Sequence, residues 1–317
     1  MRTPAGYFFV GPAMKYAKPA LTLDDQIALL EQRGLQVDDR AAAAHALAHG
    51  NYYRLRGYWI VLEELQPDGS HCFRAGTRFE TVLALSAFDD ALRALVMEAV
   101  GKAEVSLRTQ FAYHIALTHG PHAYLDQALF HDPFKHAKCL SSLKEEIDRS
   151  HEVFIKHYLG KYTDPPLPPL WVVCEVMSLG SLSKWYENLS ARADRKRIAD
   201  AYDLDETTLT SFMHHLTTLR NLCAHHCRLW NRRFTVTMKI PRNRPVQAVR
   251  AFHQGPDAER RIFNSLTLLA HLMNVVAPGN GWLARARGLL ESTPLVDTAA
   301  MGFPADWQSR PLWRDAK

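Results

Sequence analysis

The 317-residue chain lacks the means for a disulfide framework. Its five cysteines, Cys72, Cys139, Cys174, Cys223 and Cys227, are odd in number, and none stands in a Cys-x-x-Cys pair. That spacing supports neither a zinc ribbon nor a redox motif. It reads most simply as reduced thiols in a cytoplasmic protein. A hydrophobic run long enough to span a membrane is also missing, so no membrane partner is expected. The apolar patch at 7–10 is too short for the core of a secretory signal. Met14 offers an alternative start, which would leave residues 1–13 outside the protein. Internal repeats and low-complexity runs are absent.

What is present is ordinary for a soluble globular protein: 47% hydrophobic and 22% charged residues, and length for one large domain or two small ones. Net charge is +5 with 16 histidines counted as neutral. This mild basic balance suits a phosphate-bearing partner without singling one out.

Glycine and proline are scarce over long stretches, and the pattern reads as all-α. Thr22 caps a first helix that stops at Gly34. Asp38 or Asp39 opens a second, ending near Gly50, and Pro67 to Ser70 form a turn after the segment 51–65. Residues 79–118 hold no proline and one glycine, Gly101, which predicts one long helix or two nearly collinear ones. Another helix is expected over 134–159. Four prolines in TDPPLPPLW, 163–171, enforce an extended connection inside the domain. Helices follow at about 180–189 and 193–201, then a breaker-free stretch at 205–240, then a last strong helix over roughly 257–276. The tail reads as irregular, anchored by Trp307 and Trp313. Tyr52, Tyr53, Tyr58 and Trp59 could stack bases, but core packing is the expected role. Residues 171–175 are expected to be structural, and Glu104 with Arg108 to form an i,i+4 ion pair.

The stretch 212–232 carries the chemistry. At about 100° per residue, Phe212, Leu216, Leu219, Cys223 and Trp230 fall on one stripe. His214, Asn221, His225, Arg228 and Arg232 fall on the opposite one, with Arg220 beside it. Polar helix faces are usually just solvated, but they usually mix signs. Here no Asp or Glu occurs from His214 to Arg233, so the row invites a phosphate. His226 projects near the apolar stripe and is expected to be packed and hydrogen-bonded, leaving His225 as the reactive imidazole. His214, His215, Cys223, His225, His226 and Cys227 lie close in sequence, yet no single face collects four ligands, so no metal or other cofactor is expected.

Arg220, Asn221 and His225 fit the pattern Arg, then Asn/Asp/His, three residues, then His, the signature of HEPN (higher eukaryote and prokaryote nucleotide-binding) domains. A wider set of blocks is more specific: DDQIALLEQRGL, NYYRLRGYW at 51–59, PPLWVVCEVMSLGSLSKWYENL at 168–189, RNLCAHHCRLWNR at 220–232, and MGFPADW in the tail. With these the chain resembles the Abi family of bacterial abortive-infection proteins, of the AbiD/AbiF kind, over roughly residues 16–244. The resemblance implies an all-α, HEPN-like helical bundle with additional N-terminal and C-terminal helical elements. It also implies a homodimer in which two copies of the motif meet in a cleft that cuts RNA, as in the related paired modules of type VI CRISPR nucleases. It places the chain in phage defence, in some members with an antitoxin or a noncoding RNA as partner. The chain then divides into an unmatched extension at 1–15, an N-terminal helical subdomain at 16–75, a HEPN-like core at 76–280 carrying RNLCAHH, and an irregular tail at 281–317.

RNA carries its own nucleophile, the 2′-OH, so cleavage needs a proton acceptor and a cation but no metal. Imidazole suits proton transfer near neutral pH, which assigns His225 as general base or acid. The planar Arg220 fork suits the phosphoryl oxygens. Asn221, four residues before His225, would orient the imidazole or bind the phosphate. His214, Arg228, Arg232 and Arg233 are candidates for backbone contacts, which are sequence-independent and salt-sensitive. Two alternatives stay open: a non-catalytic RNA-binding sensor or scaffold, and a metal-dependent enzyme using the His/Cys cluster.

Overall fold

The computed structural model describes residues 19–316, so the 1–15 extension and Met14 lie outside the described residues. The chain forms two compact units, with the division after Ser86. It is mostly helical, with a single two-stranded hairpin among the described residues.

The first unit opens with α1 (Leu23–Gln32), α2 (Arg40–Gly50) and α3 (Tyr52–Trp59). The expected caps form. Thr22 Oγ1 accepts the Asp25 N–H at 3.2 Å, and Asp39 Oδ1 accepts that of Ala42 at 2.9 Å. Gly34 ends α1 at φ +92°, a value that favours a residue without Cβ. The turn at 67–70 closes a hairpin of β1 (Glu63–Leu65) and β2 (His71–Phe73), with Glu63 opposite Phe73. Leu55, Tyr58 and Trp59 share one face of α3 and are buried. Tyr53 points the other way and is 68% exposed, so the expectation of core packing fails for that ring. Arg33 donates to buried Glu63 at 2.5 Å.

The boundary between the units falls within α4 (Phe79–His119), a single unbroken helix of 41 residues. The second unit continues with α5 (Pro133–Arg149), α6 (Val153–Lys161), α7 (Leu170–Val176), α8 (Leu179–Asn188), α9 (Arg192–Asp200) and α10 (Glu206–Ala224). It ends with α11 (Val246–Ala251), α12 (Ile262–Val276) and α13 (Trp282–Glu291). The helix expected over 134–159 is two helices. Ser150 turns to extended backbone (ψ 133°) and its N–H closes back on Ile147 O, with no glycine or proline to announce the break. The residues expected as an irregular tail, 281–317, open with α13. Beyond it the two anchors are as expected: Trp313 is fully buried and stacks on Phe263, and Trp307 meets it edge-on. No helix among the described residues is long and apolar enough to cross a membrane.

Helix α8 lies between α5 and α10, and α9 packs on α10 as well. The α8–α10 contact is close because Gly180 faces α10: a Cβ there would come within 3.1 Å of Thr217 Cγ2. Leu209, Phe212, Met213, Leu216 and Leu219 are all buried on α10. Each such side chain contributes about 1.5–3 kcal/mol of burial, which holds the helix rigidly. On α4, Arg108 donates to Glu104 at 2.6 Å, the expected pair, and to Met177 O at 2.7 Å. Ser106 and Tyr202 share a hydroxyl contact of 2.9 Å.

Candidate active site

The stretch 205–240 is not one helix, because α10 stops at Ala224, inside the motif. His225 is the C-cap, at φ −91° and ψ 13°. His226 follows at φ +54°, in the left-handed region. Its N–H donates to Cys223 O at 3.0 Å, and the Cys227 N–H donates to Leu222 O at 2.8 Å. These are the two bonds of a Schellman stop, in which the left-handed position usually carries glycine. Histidine is one of the few other residues enriched there.

The polar stripe therefore divides. His214, Asn221 and His225 stay on the exposed side of α10, while Arg228 and Arg232 belong to the irregular segment beyond it and are half-buried. The apolar stripe survives on the helix, where Phe212, Leu216, Leu219 and Cys223 are buried. Trp230 is buried too, though no longer by helical periodicity. His226 is exposed rather than packed, because the left-handed turn removes it from the position next to Leu219.

Arg220 is half-buried, and its Nη1 donates to Asn221 Oδ1 at 3.2 Å. Asn221 thus steadies the guanidinium; among the described residues it makes no bond to the His225 ring. The His225 backbone N–H donates to Asn221 O at 2.9 Å, which fixes where the imidazole leaves the chain. No carboxylate pairs with Arg220 or His225 among the described residues. Further along, the Arg228 guanidinium lies 5.7 Å from the Trp230 ring centre and Arg232 donates to Arg228 O at 2.9 Å. Arg233 is neutralised by Asp257 at 2.6 Å, an acid that the local sequence does not reveal.

The feature sequence reasoning missed is Asp89 on α4. This carboxylate is fully buried, and Oδ1 accepts the backbone N–H groups of Leu229 at 3.0 Å and Trp230 at 2.6 Å. Arg93, also buried, pairs with it one turn along. Asp89 thereby captures the chain just after the motif and pins the end of α10. The available signal was an Asp-x-x-x-Arg spacing set among the buried Phe88, Leu92 and Val96.

The His/Cys cluster does not converge on a metal. His214 is exposed, whereas His215 is buried with Nδ1 2.8 Å from Val236 O and Nε2 2.7 Å from Ser265 Oγ. Burial pushes the Cys223 thiol up to about 12, which keeps it protonated and weakly nucleophilic at neutral pH. Among the described residues no group of three or more His, Cys, Asp or Glu side chains is placed to hold a metal ion.

Two predictions arise here. Burial pushes His215 down to about 4 from 6.5. Between those values the unfolded chain binds a proton that the folded chain refuses, so stability is full above pH 6.5 and falls toward pH 4. The loss is on the order of 3 kcal/mol. Burial lowers His271 as well, and it acts in the same direction. Urea unfolding at pH 7 and pH 4.5 measures the slope, and His215→Gln should flatten it; an unchanged slope would rule out the buried neutral imidazole. At the helix stop, His226→Gly should keep the thermal midpoint at or above that of wild type. His226→Val, a β-branched residue forced to positive φ, should lower stability by about 1–2 kcal/mol. A variant pair of equal thermal midpoints would contradict that account.

The family whose members are described as Abi-like protein matches residues 45–231. That span includes Arg220, Asn221, His225, Asp89 and Arg93, and it leaves out the DDQIALLEQRGL block and the tail. No curated protein and no solved structure matches the chain.

Proposed function

The chain belongs to the Abi-like protein family, and on that premise we propose that it is a metal-independent HEPN endoribonuclease of bacterial phage defence, working as a homodimer. Family membership supports the role in abortive infection. The observation that carries the chemistry is the end of α10. A guanidinium, an amide and an imidazole sit within six residues on an exposed helix end, uncompensated by any carboxylate among the described residues and buttressed by a buried ion pair.

In the proposed reaction His225 takes the proton of a ribose 2′-OH, and that oxygen attacks the adjacent phosphorus. The P–O5′ bond breaks as the P–O2′ bond forms. The departing 5′ oxygen is protonated by the His225 of a second copy, leaving a 2′,3′-cyclic phosphate and a 5′-hydroxyl. Arg220, steadied by Asn221, stabilises the charge on the non-bridging oxygens. A second copy is needed because Asn221 and His225 are exposed on the single chain, where water competes for every donor. His214, Arg228 and Arg232 would meet the RNA backbone. Arg233 joins them only by giving up Asp257, a cheap exchange for a surface pair.

The same exposure favours a second reading, in which the chain binds RNA without cutting it. Incubating the purified protein with RNA in EDTA separates the two. Cleavage with cyclic phosphate ends supports the nuclease; binding without new ends supports the sensor or scaffold. Sustained loss of a His225-dependent cleavage on metal removal would reject the metal-free mechanism.

A further inference from the structure

A groove of about 550 Å³ opens beside the N-terminal half of α10, lined by residues of α8, α9 and α10 and by His131 and Lys239. Its lining includes His131, Arg195, His214 and Lys239, and among the described residues its only carboxylate is Glu187. Glu187 is half exposed and lies 3.9 Å from Lys135. Two of these side chains, those of His131 and Arg195, are tied to the backbone. His131 Nδ1 lies 3.0 Å from Asn188 O, which directs Nε2 away from the backbone. Arg195 donates through Nη1 to Leu189 O, which anchors the guanidinium. Ser211 Oγ donates to Thr208 O at 3.0 Å and accepts the Lys239 N–H at 2.9 Å, which ties residue 239 to α10. With the Ser211 proton committed inward, Arg195 and Lys239 are the groove's fixed positive charges.

The groove lining reaches along α10 as far as His214, which shares a side of the helix with the motif. His214, Thr218, Asn221 and His225 follow one another at spacings of four, three and four residues, so they share one side of α10. Eleven residues at 1.5 Å each separate His214 from His225 by about 16 Å, a distance a strand of a few nucleotides covers. We propose that this groove is a second subsite for single-stranded RNA, holding a backbone phosphodiester a few nucleotides from the link that is cut. The inference rests on the RNA-cutting reading above, because it places the strand along the stripe that ends at His225. It gives the enzyme a preference for single strands longer than the scissile dinucleotide, since the remote contact adds binding only when the chain reaches it.

The test is direct binding of a fully 2′-O-methylated 12-nucleotide RNA, which cannot be cut, followed by fluorescence anisotropy over a salt series. Lys239→Ala and His214→Ala are both exposed substitutions. Each should weaken binding roughly three- to tenfold, and Lys239→Ala should reduce the salt slope by about 0.7 to 1. Lys144→Ala, on α5 and outside the groove lining, controls for lost charge alone. Uridine 5′-monophosphate should compete only at far higher concentration than the 12-nucleotide strand. Equal affinity and slope for wild type, Lys239→Ala and His214→Ala would overturn the subsite, as would a wild type that binds no RNA or a mononucleotide that competes as well as the strand. A protein that binds in this Lys239-dependent way yet cuts nothing would keep the subsite and remove the nuclease reading.

Discussion

His225→Ala should abolish RNA cleavage, and Arg220→Ala should do the same, while the circular dichroism spectrum and thermal midpoint stay those of wild type. The fold should not notice either change, because His225 is exposed and Arg220 only half-buried, and neither closes a backbone bond with its side chain. The chemistry should notice both. A positioned proton-transfer group typically contributes about 10²–10⁴-fold, and a donor aimed at developing phosphoryl charge about 10²–10³-fold. Asn221→Ala should fall between these and wild type, since it removes the acceptor that steadies Arg220 and leaves the guanidinium in place. RNA with a single 2′-deoxy position at the cleaved link should resist cutting there. Adding excess His225→Ala protein to wild type should depress activity if two copies share one cleft. Full activity in either single variant, or cleavage of the 2′-deoxy link, would remove the mechanism.

Asp89→Ala should be the most destabilising single change near the site. The substitution deprives two backbone N–H groups, those of Leu229 and Trp230, of their acceptor, and takes from Arg93 its buried partner, leaving it the exposed Asp90. Leaving a buried donor without its acceptor typically costs about 1–3 kcal/mol, here for two N–H groups at once. For a unit of this size that is a fall of roughly 10 °C in thermal midpoint. Asp89→Asn keeps one acceptor oxygen and should cost less. Activity should fall in both variants because the segment after His225 loses its anchor and the helix stop loosens. A midpoint within 2 °C of wild type for Asp89→Ala, a threshold of about 1 kcal/mol on the same scale, would show that the chain after the motif is held by other means.

Several elements were legible from local chemistry. Thr22, Asp39 and Gly34 mark helix ends through bonds they make themselves, within three residues or in their own backbone angle. The apolar stripe of α10 was readable because helical spacing alone sorts Phe212, Leu216 and Leu219 from His214 and Asn221. The anchoring role of Trp307 and Trp313 followed from large rings in a stretch otherwise without pattern. Misreadings gathered where the local signals were silent. Ser150 and His226 interrupt helices without glycine or proline, and Arg233 finds its acid 24 residues away.

The amino-acid order alone determined that the chain is helical, that His214 and Asn221 lie on a solvent-facing side, and which family it joins. It could do so because helix periodicity and short motifs are properties of neighbours in the chain. Where α10 ends, and therefore how His225 is presented, was decided only in three dimensions. Extending a helix by one residue gains or loses fractions of a kcal/mol, whereas Asp89 captures Leu229 and Trp230 from 140 residues away with a buried, charge-assisted pair of hydrogen bonds. The distant carboxylate outweighs the local preference, and no window of sequence around the motif contains it.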